Sequence, residues 1–238
     1  MRFAARLIIA LLLLCAPAFA QSANTFHVFP QFADGVFADG SSYRSTLMIQ
    51  PLFSFAAVNC SLNLHGMTTS FSAGSSSSFA ITVPAGGWTQ MRTAGTQPYQ
   101  GGYATLTCSD LVAAQVLYTF YIGGTKVSEA TVFSSSPSLL YSLLADQTEN
   151  ARLGVAIAND TDLARTYQIK LVTSLGATFA TGTVMVGARQ TVAKFLDDLM
   201  PASHNMILQA QIQASDFSNF SVVGLKFTGS VFTTIPAN

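Results

Sequence analysis

Hydrophobic and polar positions alternate along most of the chain. In YATLTCS, Ala104, Leu106 and Cys108 fall on one face while Tyr103, Thr105 and Thr107 fall on the other. LQAQIQA sets Leu208, Ala210, Ile212 and Ala214 against Gln209, Gln211 and Gln213, and TYQIKLV sets Tyr167, Ile169 and Leu171 against Gln168 and Lys170. This period of two predicts strands with one buried and one wet face. Turn signals are frequent: FADG at 32–35 and 37–40, PAGG at 84–87, and Gly123-Gly124. Many short strands between such turns predict an all-β sandwich or barrel. One short helical turn is expected in KFLDDLM, 194–200.

The pattern also repeats over a long period. ATLTCSDLVAAQVLYTF (104–120) is echoed by AQIQASDFSNFSVVGLKF (210–227), which predicts a strand, a Ser-Asp turn and a partner strand in each copy. YRSTLMIQ (43–50) matches ARLGVAIAN (151–159), and AVNCSLNL (57–64) matches RTYQIKLV (165–172). FAITVPAGGWTQMRT (79–93) matches GTVMVGARQTVAKFL (182–196), and KVSEATVF (126–133) matches SVFTTIPA (230–237). The order is kept throughout, so the expectation is two tandem immunoglobulin-like antiparallel β-sandwich domains, 21–135 and 136–238, joined near SSSPS (134–138). Two facing sheets are needed because each must cover its apolar face.

The first twenty residues stand apart. MRFAAR is basic, LIIALLLL is apolar, and Ala18-Phe19-Ala20 is a small-x-small triplet, so residues 1–20 read as a cleaved signal peptide. The apolar run is shorter than the roughly 20 residues of a membrane span. Without Arg2 and Arg6 the 11 basic residues fall to 9 against 11 acidic ones, a net charge of −2. No basic stripe exists for a nucleic acid. Charged residues are 9% of the chain, which leaves little charge to oppose self-association. The expected location is periplasm, cell surface or exterior.

Cys60 and Cys108 remain after cleavage, both at inward positions of alternating strands and both in the first copy. By the repeat, Cys60 corresponds to Tyr167 and Cys108 to Ala214. In an exported protein the first expectation is a disulfide between them, in the position of the inter-sheet bridge of immunoglobulin-type sandwiches. The alternative is two buried thiols acting as small apolar side chains.

Candidate chemistry is sparse. His27, His65 and His204 have no second ligand at metal spacing, and the nucleophile-elbow pattern G-x-S-x-G is absent. GSSSS (74–78) reads as a loop. Asp34 and Asp39 fit turns, with a weak calcium loop as the alternative. Asp110 and Asp216 fit side-chain-to-backbone turns, and the adjacent Asp197 and Asp198 fit a solvated helix end. No catalytic residue, metal site or cofactor is expected. Trp88, Tyr99 and Tyr103 are the candidate ligand-binding residues: exposed, they would stack on sugar rings or anchor a protein; otherwise they cap the core or the joint between domains.

FPQFADG, RSTLMIQ, ITVPAGGW, GGYATLTCSD, KVSEATV, LGVAIAND, VGLKF and FTTIPA together resemble tandem β-sandwich modules of uncharacterised secreted proteins from soil bacteria. Where that module has an Asn-Pro turn, this chain has Gln50-Pro51 and Asn159-Asp160. The resemblance implies the fold and export and carries over no functional residue. The expected function is therefore a non-enzymatic secreted or cell-surface protein acting in adhesion or as a structural or interaction module, with a protein or glycan partner. A carbohydrate-binding protein using the aromatics of the first domain is the alternative.

Overall fold

The computed structural model describes residues 23–52, 55–71 and 74–237. The expected signal peptide lies outside the described residues. Strands dominate. The first seven are β1 (Asn24–Val36), β2 (Ser42–Pro51), β3 (Val58–His65), β4 (Ser78–Val83), β5 (Thr89–Arg92), β6 (Gln100–Ile122) and β7 (Thr125–Phe133). They are followed by β8 (Leu140–Asp146), β9 (Ala151–Asn159), β10 (Arg165–Val172), β11 (Thr178–Val186), β12 (Gln190–Phe195), β13 (Ile207–Ala214), β14 (Ser221–Thr228) and β15 (Val231–Ile235). A short helical turn, α1 (Leu196–Leu199), lies within KFLDDLM, and a 3-10 turn at Pro201–Ser203 follows it.

One pairing scheme serves both halves. In the C-terminal half, β11-β10-β13-β8 form one antiparallel sheet and β12-β9-β14-β15 a second. In the N-terminal half, β3, flanked by β4, and β1 pair with the first part of β6, while β2, flanked by β5, and β7 pair with its second part. Counting the two parts of β6 separately, the strands of each half have the same neighbours in the same order. The sequence repeat is therefore also a repeat of pairing.

The two copies of the Ser-Asp segment differ. In the second, the expected turn is present: β13 ends at Ala214, Phe217 takes a φ of 56°, and Asp216 Oδ1 accepts from the Ser218 amide and hydroxyl at 3.2 and 2.7 Å. In the first, 23 residues run as one strand. Here Phe26 faces Thr107 and Asn24 faces Val112, so two steps along β1 match five along β6. Ser109, Asp110 and Leu111 form an exposed bulge that re-aims β6 from one set of partners to the other without leaving extended geometry.

Other expectations need similar adjustment. Constant-type immunoglobulin sandwiches place strands 1-2-5-4 on one sheet and 3-6-7 on the other. The C-terminal half, numbered in order of appearance, has 4-3-6-1 and 5-2-7-8. The 2–5 and 3–6 pairings are common to both, but strand 1 lies beside strand 6. The fold is an all-β antiparallel sandwich with its own strand order. The disulfide joins Cys60 to Cys108, yet these are direct partners on β3 and β6 with Cα atoms 4.0 Å apart. It staples neighbouring strands within one sheet instead of bridging two. The equivalent register pair in the C-terminal half is Tyr167 and Ala214, both buried. The first FADG is also not a turn: Asp34 lies in β1, buried, and accepts from Thr69 Oγ1 at 2.5 Å and the Gly95 amide at 3.0 Å. Asp39 in the second FADG does make a turn, capping Ser41.

The halves meet across the face of a sheet. In ARLGVAIAN, Leu153, Val155 and Ile157 enter the core of the C-terminal half. The alternate positions are Gly154, Ala156 and Ala158. Ala156, Val223 and Phe232 join the core of the N-terminal half, and Ala158 packs with Val28 and Tyr103. Small side chains at Ala156 and Ala158 allow this close approach. Polar contacts fix the register: Thr191 Oγ1 donates to Pro30 O at 2.7 Å, the Phe232 amide to Ser128 Oγ at 3.0 Å, and Thr234 Oγ1 to Thr131 O at 2.6 Å. The SSSPS segment is pinned between them, with the Ser135 amide donating to Val28 O and the Val222 amide to Ser135 Oγ.

Candidate functional site

The three aromatics singled out in the sequence do not share a surface. Tyr103 is fully buried at the seam between the halves. Its hydroxyl donates to Asp160 Oδ1 at 2.7 Å, and its ring stacks on His65 at 4.3 Å. Burial and the Asp160 carboxylate push its pKa up, so it stays a neutral donor. Tyr99 stacks on Phe37 at 4.2 Å and lines a cleft between the halves. Trp88 follows the β4–β5 turn and is 64% exposed.

The inter-half cleft has a volume of about 310 Å³. Tyr43, Tyr99 and Tyr118 line it from one half, and Phe195, Phe227 and Phe232 from the other. Burial beside Tyr99 pushes the Tyr43 hydroxyl up to about 12. Tyr118 donates to Gln31 O and is also held neutral by burial. Lys194 and Asp198 reach the lining, but Asp198 is ion-paired to Arg152 at 2.6 Å. This space is the unfilled part of the seam, and among the described residues its one carboxylate, Asp198, is already held by Arg152.

The ionisable side chains mostly hold the scaffold. Arg152 pairs with Asp197 and Asp198 and lies 3.8 Å from the Phe195 ring centre. Arg165 pairs with Asp216, and Arg189 with Asp160 and Asp162. Lys226 pairs with Asp146 at 2.6 Å; that contact and hydrogen bonds from Thr148 hold the Asp146 carboxyl down at about 2. His27 is buried, bonded to Ser134 and the Asn24 carbonyl, and burial lowers its pKa. His65 is likewise lowered by burial, and the exposed His204 lies 3.4 Å from Asp197. Among the described residues no group of three or more His, Cys, Asp or Glu could hold a metal ion. None of their helices is long and apolar enough to cross a membrane.

A surface depression surrounds Trp88. One hollow of about 220 Å³ is lined by Trp88, Met48, Ile49, Gln50, Ala113 and Gln115. A second, of about 500 Å³, is lined by Gln50, Pro51, Leu52, Phe55 and the turn Ala85-Gly86-Gly87. Gln50 belongs to both, and Gly87 adjoins Trp88 in the chain, so the two are neighbouring parts of one depression. The turn is tight: Gly86 has a φ of 64°, and a Cβ at Gly87 would lie 2.8 Å from Pro84 Cγ. Sequence reasoning found Trp88 but not Gln50, Gln115 or Phe55. Alternation alone places Met48 and Gln50 on one face of β2; only the pairing of β2 with β6 brings Gln115 beside Met48.

No family model matches this chain, and no curated protein matches it. Among solved structures it is similar to a protein of Parabacteroides distasonis ATCC 8503 inferred to be secreted, with 11% identity over 88% of this chain and 85% of that chain. The TM-score is 0.22, so the likeness supports no statement about fold, compartment or activity.

Proposed function

We propose that the protein is an exported, non-enzymatic module of two tandem β-sandwich units that acts in adhesion or as a structural interaction element at or beyond the cell surface. The observation supporting this reading is the division of side chains. Most carboxylates and guanidinium groups are spent on ion pairs and hydrogen bonds within the scaffold, while large apolar groups stand on regular outer strand faces. Leu140 and Leu144 of β8 and Ile207 of β13 are exposed together at the sheet edge formed by β8. Exposed apolar groups on a rigid sheet are surfaces for contact. The Cys60–Cys108 disulfide fits an oxidising compartment.

The test is retention of purified residues 21–238 on envelopes of the cells that export the protein. Saturable retention, competed by unlabelled protein, is expected. A protein that stays wholly in the supernatant, or one that turns over esters, glycosides or peptides, would refute the proposal.

A further inference from the structure

The groove around Trp88 has the chemistry of a sugar site. Its aromatic groups are unusually free: Trp88 is 64% exposed and Phe55 fully so. Neither ring is used by a core, and burying them would favour binding in proportion to the apolar area removed from water. Pairing of β2 with β5 and β6 sets Gln90, Met48 and Gln115 side by side, and Phe133 faces Gln115 from β7. Phe133 is 54% exposed. The result is a shallow sheet face with amide side chains between aromatic ones. Rings stack on the C–H faces of pyranoses, and amides both donate to and accept from hydroxyl groups.

Charge decides the class of sugar. None of the described residues lining either hollow has an ionisable side chain. An acidic polymer would find no partner for its carboxylates, whereas a neutral chain leaves no charge unpaired. Length also matters, because the two hollows share Gln50 at their border, and two neighbouring hollows fit several consecutive units better than a single monosaccharide.

A second copy of this chain is the rival occupant, and the repeat argues against it. The equivalent face of the C-terminal half is the one that packs against the N-terminal half, where Ala156 pairs with Val223 and Ala193. At the same strand positions the N-terminal half has Met48 between Gln115 and Gln90. Where a sandwich covers this face, the residues are small and apolar; around Trp88 they are long, and Met48 is flanked on both sides by polar glutamines.

We infer that the Trp88 groove binds a neutral, unbranched glycan chain, with Trp88 and Phe55 as stacking residues and Gln50 and Gln115 as hydroxyl-reading residues. This goes beyond adhesion as such: it names a site and a ligand class, and retention on envelopes through another face would survive its failure.

Trp88 is the sole tryptophan of the chain, so its emission reports on the groove directly. The experiment titrates residues 21–238 with cellohexaose, xylohexaose and mannohexaose, with polygalacturonate as the acidic control. A saturable emission change with at least one neutral oligosaccharide is expected. Calorimetry on Trp88→Ala should then show binding weakened about tenfold or more, as for an aromatic hot spot. Trp88→Phe should lose less, and Gln115→Ala should alter the preference among the three sugars. Circular dichroism and an intact disulfide establish that the variants fold. No emission change with any neutral sugar, undiminished binding by Trp88→Ala, or tighter binding of polygalacturonate would each overturn the assignment. So would a concentration-dependent emission change without sugar, which would give the groove to a second copy of the chain.

Discussion

Replacing Tyr167 and Ala214 with cysteines tests the shared plan of the two halves at a single residue pair. The two positions face each other on β10 and β13, as Cys60 and Cys108 do on β3 and β6. The native bridge has a sequence separation of 48, and the new one would close a loop of nearly the same length. In the chain-entropy model such a loop is worth about 4 kcal/mol. Against this stands the loss of Tyr167, which is fully buried with its ring 4.8 Å from Phe220. Truncating a large buried aromatic typically loses about 3–5 kcal/mol. Part of that is returned, because Tyr167 Oη is buried without a hydrogen-bond partner, and removing such a group relieves about 1–3 kcal/mol. The oxidised variant should therefore lie between parity with the parent and a gain of about 4 kcal/mol. Thiol titration after denaturation without reductant should find no free cysteine. Urea unfolding with and without reductant, run beside the parent to account for the native bridge, should give the variant about twice the parent's redox-dependent loss. Two free thiols in the folded, oxidised variant would refute the register equivalence. A bridged variant that is more than about 2 kcal/mol weaker than the parent would refute the balance of magnitudes.

Three further outcomes follow from the seam and the ion pairs. Ala158→Leu should overpack the contact with Val28 and Tyr103 and destabilise by about 1–3 kcal/mol in urea unfolding; a neutral result would mean that the halves separate easily. Tyr103→Phe removes a donor to the Asp160 carboxylate and should lower stability by about 1–2 kcal/mol, with an unchanged midpoint counting against a structural role for that bond. Lys226→Met should destabilise by at most about 1 kcal/mol, because the pair with Asp146 is partly exposed. Asp146 has a depressed folded pKa, so this contribution is present above the unfolded carboxylate range and fades as pH falls through about 2. Parent and variant should accordingly differ near neutrality and converge at the acid end of a pH series of unfolding midpoints.

Much of the fold was legible because a strand announces itself by alternation. YATLTCS, LQAQIQA and TYQIKLV each lie in a strand with the expected face buried, although Tyr103 and Thr105, expected on the wet face of the first, are buried as well. The repeat predicted that Cys60 and Tyr167 occupy one position, and the registers agree. Strand order was not legible, because alternation says which face is buried but not which neighbour lies alongside. Asp34 shows a second limit: Asp-Gly is a turn signal, yet its side chain found buried donors from Thr69 and Gly95, both distant in sequence. Ser109-Asp110 shows a third, since the same dipeptide closes a turn in one copy and sits in a bulge of an unbroken strand in the other. The candidate site was half legible. An exposed tryptophan can be guessed after a Gly-Gly turn, but Gln50, Gln115 and Phe55 come to it from separate segments.

LGVAIAN carries the sequence signature of the seam. A half-buried strand shows apolar residues on one face and polar ones on the other; here both faces are apolar, and the second is made only of Gly154, Ala156 and Ala158. Such a strand is covered twice, once by its own sandwich and once by a neighbour that needs close approach. Its counterpart RSTLMIQ carries Thr46, Met48 and Gln50 at the same positions, and the face opens from a buried Thr46 to a half-buried Met48 and an exposed Gln50. That contrast between two copies of one strand tells which face became the seam and which stayed free. It also explains why the free face is where a ligand site has room to form: it kept the geometry of a packing surface without the small residues that packing requires.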